Sequence, residues 1–244
     1  MTDISQVEAL FFDVFGTVVD WRTSVVREME EFGRAKGLKA DWAAFADKWR
    51  GKYQPAMEEV RSGRRPFTIL DVLHLESLIE VLREFSISGL SEDELGRLTT
   101  IWHRLDPWPD AVRGLSRLKQ RYMISPLSNG NVALMTRLSK RAGLPWDAIL
   151  GAETAQAYKP MPQAYLRNAG LLALAPEACM LVAAHNNDLA AARAVGFKTA
   201  FVLRPAEHGP NQQTDLRAEE YWDLVAASFE DLADKLKCPA LDTR

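Results

Sequence analysis

The 244-residue chain has two cysteines, Cys179 inside an apolar run and Cys238 near the end. They are too few and too differently placed for a disulfide framework, and they fit a reducing cytoplasm. It has no large excess of one charge. With 30 Lys and Arg against 33 Asp and Glu the formal charge is −3, and the basic residues are scattered, which excludes the electrostatic footprint of a nucleic-acid binder. No uncharged apolar segment approaches the roughly 18 residues needed to span a bilayer. Met1 to Gln6 shows no basic stretch followed by an apolar one and a small-residue cleavage site, so neither a membrane span nor a secretory leader is expected. Internal repeats and low-complexity tracts are missing as well. What is present is 47% hydrophobic residues, ample for one large domain, or for one domain and a smaller companion.

The stretch Leu10-Phe11-Phe12-Asp13-Val14-Phe15-Gly16-Thr17 organises the rest. Val7 to Phe12 is a nearly unbroken apolar run, too short for a helix and stopped by turn residues, and so predicts a buried strand. Asp13 then stands at its carboxyl end. In an open parallel sheet that edge is where ligands bind, and a partly desolvated carboxylate there can attack an electrophilic carbon. The bland alternative is an Asp that caps the next turn.

Helical patterns follow. One runs from near Thr23 to Gly37. A second runs from about Asp41 to Tyr53, where Pro55 should kink or break it before Met57 to Val60 extend it. A third covers Ile69 to Phe85, and Ser91 with Glu94 forms a capping box for a fourth that reaches about His103. Residues 22 to 104 show no strand pattern, whereas the remainder alternates strands (Tyr122–Leu127, Ala148–Leu150, Cys179–Ala184, Thr199–Leu203, Leu224–Ala227) with helices. This predicts an α/β protein with a doubly wound parallel sheet and right-handed crossovers. Its core domain comprises residues 1–20 and 105–244, and residues 21–104 form an inserted all-helical domain. Pro205 to Asp215 reads as a polar surface loop.

Ser128-Asn129-Gly130 falls where a strand gives way to a helix, so a hydroxyl, an amide and backbone N–H groups can converge on an anion. Alone it is as readily a turn with an N-cap. Lys159 before Pro160 is equally ambiguous, since most lysines are solvated. In this order, however, Asp13 through Thr17, Ser128, Lys159 and the run Cys179 to Asp188 resemble the four motifs of the haloacid dehalogenase superfamily. These are a strand ending in Asp-x-Asp-x-Thr or a variant, a Ser or Thr ending a strand, a Lys opening a helix, and an acid-bearing strand-loop-helix. The resemblance implies a Rossmann-like core whose helical insertion is a cap closing over the active site. Phosphatase members carry a second Asp, a general acid, where this chain has Phe15; aromatic residues there are familiar from the 2-haloacid dehalogenase branch, whose halide leaving group needs no proton. The phosphatases also have an Asp where this chain has Ala184. Asp13 and Asp188 alone make a poor magnesium site, so no metal and no cofactor are expected.

The resemblance implies hydrolysis of short (S)-2-haloalkanoic acids to 2-hydroxy acids with inversion. Asp13, followed by Thr17, attacks C2 and forms an ester, while Ser128 and Asn129 anchor the carboxylate and Lys159 keeps Asp13 ionised. Arg50, in Trp49-Arg50, stabilises the departing halide, with Arg61, Arg64 and Arg65 as rivals. Asp188 activates the hydrolytic water, assisted by Lys159 and by His185 or Asn187. Phe15, Trp21, Trp49 and Phe67 are candidate walls of the halide pocket, and Gly16 and Tyr165 complete the substrate-binding set. Tyr165, six residues after Lys159, matches a Tyr that supports the site. His185 departs from the family's Ser-Ser-Asn-x-x-Asp loop; it is either a polar contact for water or halide, or a capping or surface histidine. Expected partners are a small 2-haloacid and a halide ion, with no nucleic acid and no membrane, and a homodimer is a common assembly. The rival readings are a phosphatase of the same fold acting on small phosphorylated metabolites, and a non-catalytic binding protein.

Overall fold

Four consecutive residues, Ala9, Leu10, Phe11 and Phe12, are all but inaccessible to solvent and form β1 (Ala9–Phe12), as a strand covered on both faces must. The computed structural model describes residues 3–241. Residues 1–2 and 242–244, at the outer ends of the expected core segments and of the stretch read for a leader, lie outside the described residues.

After β1 come β2 (Val19–Asp20), α1 (Trp21–Lys36), α2 (Trp42–Gly51), α3 (Tyr53–Arg61), α4 (Leu70–Glu84), α5 (Glu92–Thr99) and a 3₁₀ turn at Thr100–His103. The chain then returns through β3 (Asp106–Pro107), which pairs antiparallel with β2. This two-stranded clip was not expected, because two residues a side carry no periodicity to read. Everything helical between residues 21 and 103 thus leaves and re-enters at one narrow base. α1 ends where expected, at Gly37 in a left-handed conformation, and the Ser91–Glu94 capping box of α5 is formed in both directions. Pro55 does not break its helix. The break lies at Lys52 between α2 and α3, and Pro55 falls in the first turn of α3, where its missing N–H has no intrahelical acceptor to lose.

The remainder alternates as predicted: α6 (Ala111–Leu118), β4 (Met123–Ser128), α7 (Val132–Ala142), β5 (Leu150–Gly151), α8 (Ala152–Ala155), α9 (Pro162–Leu171), β6 (Cys179–Ala183), α10 (Asn186–Ala194), β7 (Lys198–Val202), β8 (Leu224–Ala226) and α11 (Phe229–Lys235). The six strands order as β5-β4-β1-β6-β7-β8, and every pairing is parallel. Leu10 and Phe12 pack into a cluster shared with α6, α7, α11 and the helices of 21–103, whereas Ala9 and Phe11 pack against α9 and α10. The short α8 was not anticipated. Lys159 does not open a helix either; α9 begins three residues later with Pro162 at its first position, where a fixed φ is already helical.

β1 is flanked by β4 on one side and β6 on the other, and this is where the winding reverses. The crevice beyond the carboxyl ends of these three strands is the ligand-binding place of such a sheet. Asp13, Ser128 and the Ala184-His185 turn all fall there.

Candidate active site

Each strand end delivers one group. Asp13 follows β1, with its backbone N–H bonded to the Val182 carbonyl of β6, so its carboxylate projects from a fixed peptide. Lys159 Nζ reaches Asp13 Oδ1 at 2.9 Å and Asp188 Oδ2 at 2.5 Å. The Thr17 hydroxyl donates to Asp13 Oδ2 at 2.7 Å and accepts from the Ala184 N–H at 2.9 Å, which ties the first motif to the fourth. Burial alone would raise the Asp13 carboxyl, but the Lys159 ammonium, then His185 and Thr17, hold it well below the usual carboxylate range. Burial likewise opposes the Lys159 charge, and Asp13 and Asp188 overcome it and raise the lysine.

Asp188 lies in the first turn of α10 and has a donor on each oxygen, Lys159 on Oδ2 and the Tyr165 hydroxyl on Oδ1 at 2.6 Å. Tyr165 is therefore behind Asp188 and away from the cavity, a supporting residue and not a substrate contact. His185 is neither a surface residue nor a side-chain cap. Its Nδ1 lies 3.1 Å from Asp13 Oδ2 and its Nε2 lies 2.8 Å from Glu207 Oε2. Burial disfavours the imidazolium, yet Glu207 and Asp13 raise its pKa well above the ordinary value, and Glu207 is correspondingly lowered by His185 against its own burial.

Glu207 was missed. The loop read as polar surface folds back over the sheet edge, and Glu207 is 1% exposed. Its other oxygen accepts from Trp21 Nε1 at 3.0 Å. No local signal marks it, because one acid in a polar loop looks like any other. Gly16 is explained by the same contact: it has φ +91°, and a methyl group there would overlap the Glu207 carboxylate.

Across the cavity, α2 and α3 present Arg50 and Tyr53. The Arg50 guanidinium carbon lies 4.1 Å from the Tyr53 ring centroid, 5.4 Å from Trp21 and 5.8 Å from Phe15. Its buried Nη1 finds no hydrogen-bond acceptor among the described residues. Such a donor, held in an aromatic cage, can receive an anion. Trp49 lies beneath this cage, where it donates to the His74 carbonyl at 3.1 Å, and Trp21 serves Glu207; neither lines the cavity as a wall. Phe67 packs on Tyr158. Arg64 and Arg65 pair with Glu59 and Glu76 at the surface; Arg50 and Arg61 both reach the cavity with Asp13, but the Arg61 donors are taken up by Glu58, Gln54 and Lys159, whereas Arg50 keeps a buried donor with no acceptor among the described residues.

The partly open cavity measures about 740 Å³, and Asp13, Arg50, Asn129, Lys159, His185, Asn187 and Asp188 all reach it. Ser128, Thr17 and Phe15 stand one layer back; Ser128 Oγ accepts from the Gly130 N–H at 3.0 Å. Among the described residues no group of three or more His, Cys, Asp or Glu could hold a metal ion.

A family model described as haloacid dehalogenase-like hydrolase matches residues 7–196. A defluorinating L-2-haloacid dehalogenase of known structure is 50% identical, with a TM-score of 0.94 over 95% of this chain and 96% of that one. (S)-2-Haloacid dehalogenase 4A of Burkholderia cepacia is 28% identical over 234 residues, which is 91% of this chain and 96% of the relative. An L-2-haloacid dehalogenase of Xanthobacter autotrophicus, solved with chloropropionic acid covalently bound, superimposes with a TM-score of 0.79 over 95% of this chain and 98% of that one. At 23% identity that last likeness concerns the fold alone.

Proposed function

The chain belongs to the haloacid dehalogenase-like hydrolase family, and from that premise we propose that it hydrolyses short (S)-2-haloalkanoic acids through an ester of Asp13. The observation that carries this reading is a buried Asp13, held well below the usual carboxylate range, on the same cavity as an Arg50 donor with no acceptor among the described residues. Asp13 attacks C2 from the side opposite the halogen and the C–X bond breaks, with the halide received by Arg50 Nη1 beside Tyr53, while Phe15 and Trp21 back the guanidinium from behind. Asn129 and the Ser128 turn anchor the substrate carboxylate. The helices of 21–104 act as a cap that excludes water and carries Arg50. Two free, buried cysteines suit the cytoplasmic setting we assign.

For the second half-reaction the geometry favours His185 over Asp188 as the base. Asp188 has both oxygens engaged by donors and is best placed to hold Lys159. His185 stands against Asp13 and is oriented by Glu207, as a carboxylate orients a catalytic imidazole. In the resting enzyme two carboxylates keep His185 protonated. Alkylation turns Asp13 into a neutral ester, the imidazolium loses one of its two anions, and its proton departs with the halide. The neutral ring then takes a proton from water as the oxygen adds to the Asp13 carboxyl carbon. Collapse breaks the bond to the product oxygen, which takes the proton from the newly formed Asp13 acid. The resting pair of carboxylate and imidazolium is thereby restored.

Two experiments test this reading. Halide release from fluoroacetate, chloroacetate and (S)-2-chloropropionate should survive EDTA, while generic phosphate esters are not turned over; loss with chelator and rescue by magnesium would move the protein to the phosphatases. In a single turnover in ¹⁸O-water with enzyme in excess, the hydroxy acid should be unlabelled and the peptide containing Asp13 labelled. The opposite distribution rules out the covalent route.

A further inference from the structure

We infer that Arg61 is a positioning residue that couples seating of the helical cap to the placement of Lys159; the inference rests on the dehalogenase reading above. Lys159 lies in the loop between α8 and α9, so no helical or sheet hydrogen bonding holds its backbone. Two side chains do so instead. Its N–H donates to Asn129 Oδ1 at 2.9 Å, and its carbonyl accepts from Arg61 Nη1 at 3.0 Å. Asn129 belongs to the sheet edge, whereas Arg61 is the last residue of α3, on the opposite side of the cavity.

Arg61 is itself braced. Its Nε donates to Glu58 Oε2 at 2.9 Å, Nη1 also donates to Gln54 Oε1 at 3.1 Å, and Nη2 donates to the Gln54 carbonyl at 3.3 Å. With its side chain 13% exposed, the guanidinium is a fixed wedge in the seam between the two layers. The preceding residue is gripped from the same side: the Tyr158 hydroxyl donates to the Thr68 carbonyl at 2.6 Å, and the Phe67 and Tyr158 rings lie 5.3 Å apart. The segment that delivers Arg50 therefore also fixes the peptide from which the lysine reaches Asp13. An open cap would leave the Lys159 carbonyl unheld and the ammonium loosely placed, so Asp13 becomes a competent nucleophile only when the halide donor has arrived. A displacement of about 1 Å at such a group can cost on the order of 10²-fold in rate.

The test compares Arg61→Ala, Arg61→Lys and, as a surface control on the same segment, Arg64→Ala, in the full chain. Two readouts are used. Hydrogen exchange of the peptide covering residues 157–161 reports the grip whether or not the protein dehalogenates. Steady-state kinetics with (S)-2-chloropropionate report its consequence. For Arg61→Ala we expect at least about tenfold faster exchange at Lys159 with β1 and β4 unchanged, and kcat lower by ten- to a hundredfold with KM within threefold. Guanidinium at millimolar concentration should restore part of the rate, Arg61→Lys should fall between, and Arg64→Ala should match the parent. Unchanged exchange at Lys159, faster exchange with unchanged kcat, or a loss confined to KM would each overturn the inference; the last would make Arg61 a substrate-binding group. If Arg61→Ala fails to fold, Arg61→Lys carries the same test, and parent-like exchange and kcat in it together with no effect of Tyr158→Phe on either would also overturn it.

Discussion

Two of the histidines sit in surroundings that push their protonation in opposite directions. His74, on α4, has neither ring nitrogen hydrogen-bonded among the described residues and stacks on Trp102 with ring centroids 4.5 Å apart. Burial pushes its pKa down to about 3, helped by the nearby Arg50 charge and opposed by Asp71. His185, at the sheet edge, is more open, with its side chain 18% exposed, and Glu207 and Asp13 raise its pKa well above the ordinary value against its burial. Desolvation acts on both; what separates them is whether a carboxylate lies within hydrogen-bonding distance. The helical side of the cavity is an aromatic, low-dielectric box with a cationic donor, Arg50 Nη1, that has no acceptor among the described residues, suited to a charge that arrives during the reaction. The sheet side is a closed network in which Asp13, Asp188 and Glu207 neutralise Lys159 and His185, suited to charges that change sign in sequence.

Removing the charge at the centre of the network should have the largest effect. Asp13→Asn is expected to lower halide release by more than about 10⁴-fold, since the amide is a far weaker nucleophile and the neighbouring Asp188 carboxylate is engaged by Lys159 and Tyr165. A variant keeping a tenth of parental activity would contradict the assignment.

Next in size is the base. His185→Gln should reduce kcat by about 10² to 10⁴-fold and, more tellingly, leave alkylated Asp13 detectable by mass spectrometry of the intact protein. Glu207→Gln should do the same to a smaller degree, because the imidazole remains and only its orientation and basicity suffer. If no adduct accumulates in either, Asp188 regains the role of base.

On the helical side, Arg50→Ala should cost about 10²-fold, mainly in kcat, because full halide charge exists only in the transition state and after it. A pure KM effect would mean that Arg50 binds the carboxylate.

The smallest effect on activity, and the sharpest contrast between the two histidines, is expected from His74→Phe. The unfolded chain binds a proton at His74 below about pH 6.5, whereas the folded chain does so only near pH 3. Stability contributed by the neutral ring is therefore present above the unfolded value and drains away as pH falls from 6.5 toward 3, by up to a few kcal/mol. The Phe variant lacks this loss. Its melting temperature should fall less than that of the parent between pH 7 and pH 4.5; parallel curves would show that His74 is solvated or paired in solution.

Much of the fold could be read locally, and for definite reasons. The strand at Ala9–Phe12 announces itself because burial on both faces demands an unbroken apolar run, and the capping box at Ser91 is a four-residue pattern complete in itself. Asp13 stands where such a run stops, so strand-end chemistry pointed to it, whereas Ser128, Lys159 and Asp188 were singled out by their resemblance to the family's motifs. The β2–β3 clip and α8 are too short to carry a period. Pro55 misled because its cost depends on its position within a turn, which was one residue-scale boundary away from the expected one.

The site divides along the same line. Sequence by itself determined that a buried strand stops at Asp13 and that the remaining strands alternate with helices in a parallel winding, because both follow from hydrophobic pattern and chain order, and it determined that position 15 is aromatic and position 184 apolar, so that neither side chain can donate a proton or bind a metal. Only the tertiary structure decided that Glu207 returns from a loop 22 residues beyond His185 to pair with its imidazole, that Gly16 must be glycine to admit that carboxylate, and that Asp188 has both oxygens engaged, by Lys159 and Tyr165. The physical reason is one of range. A pattern of burial is written in neighbours two to four residues apart, whereas a charge network is set by distances of about 3 Å between atoms whose places in the chain bear no relation to one another.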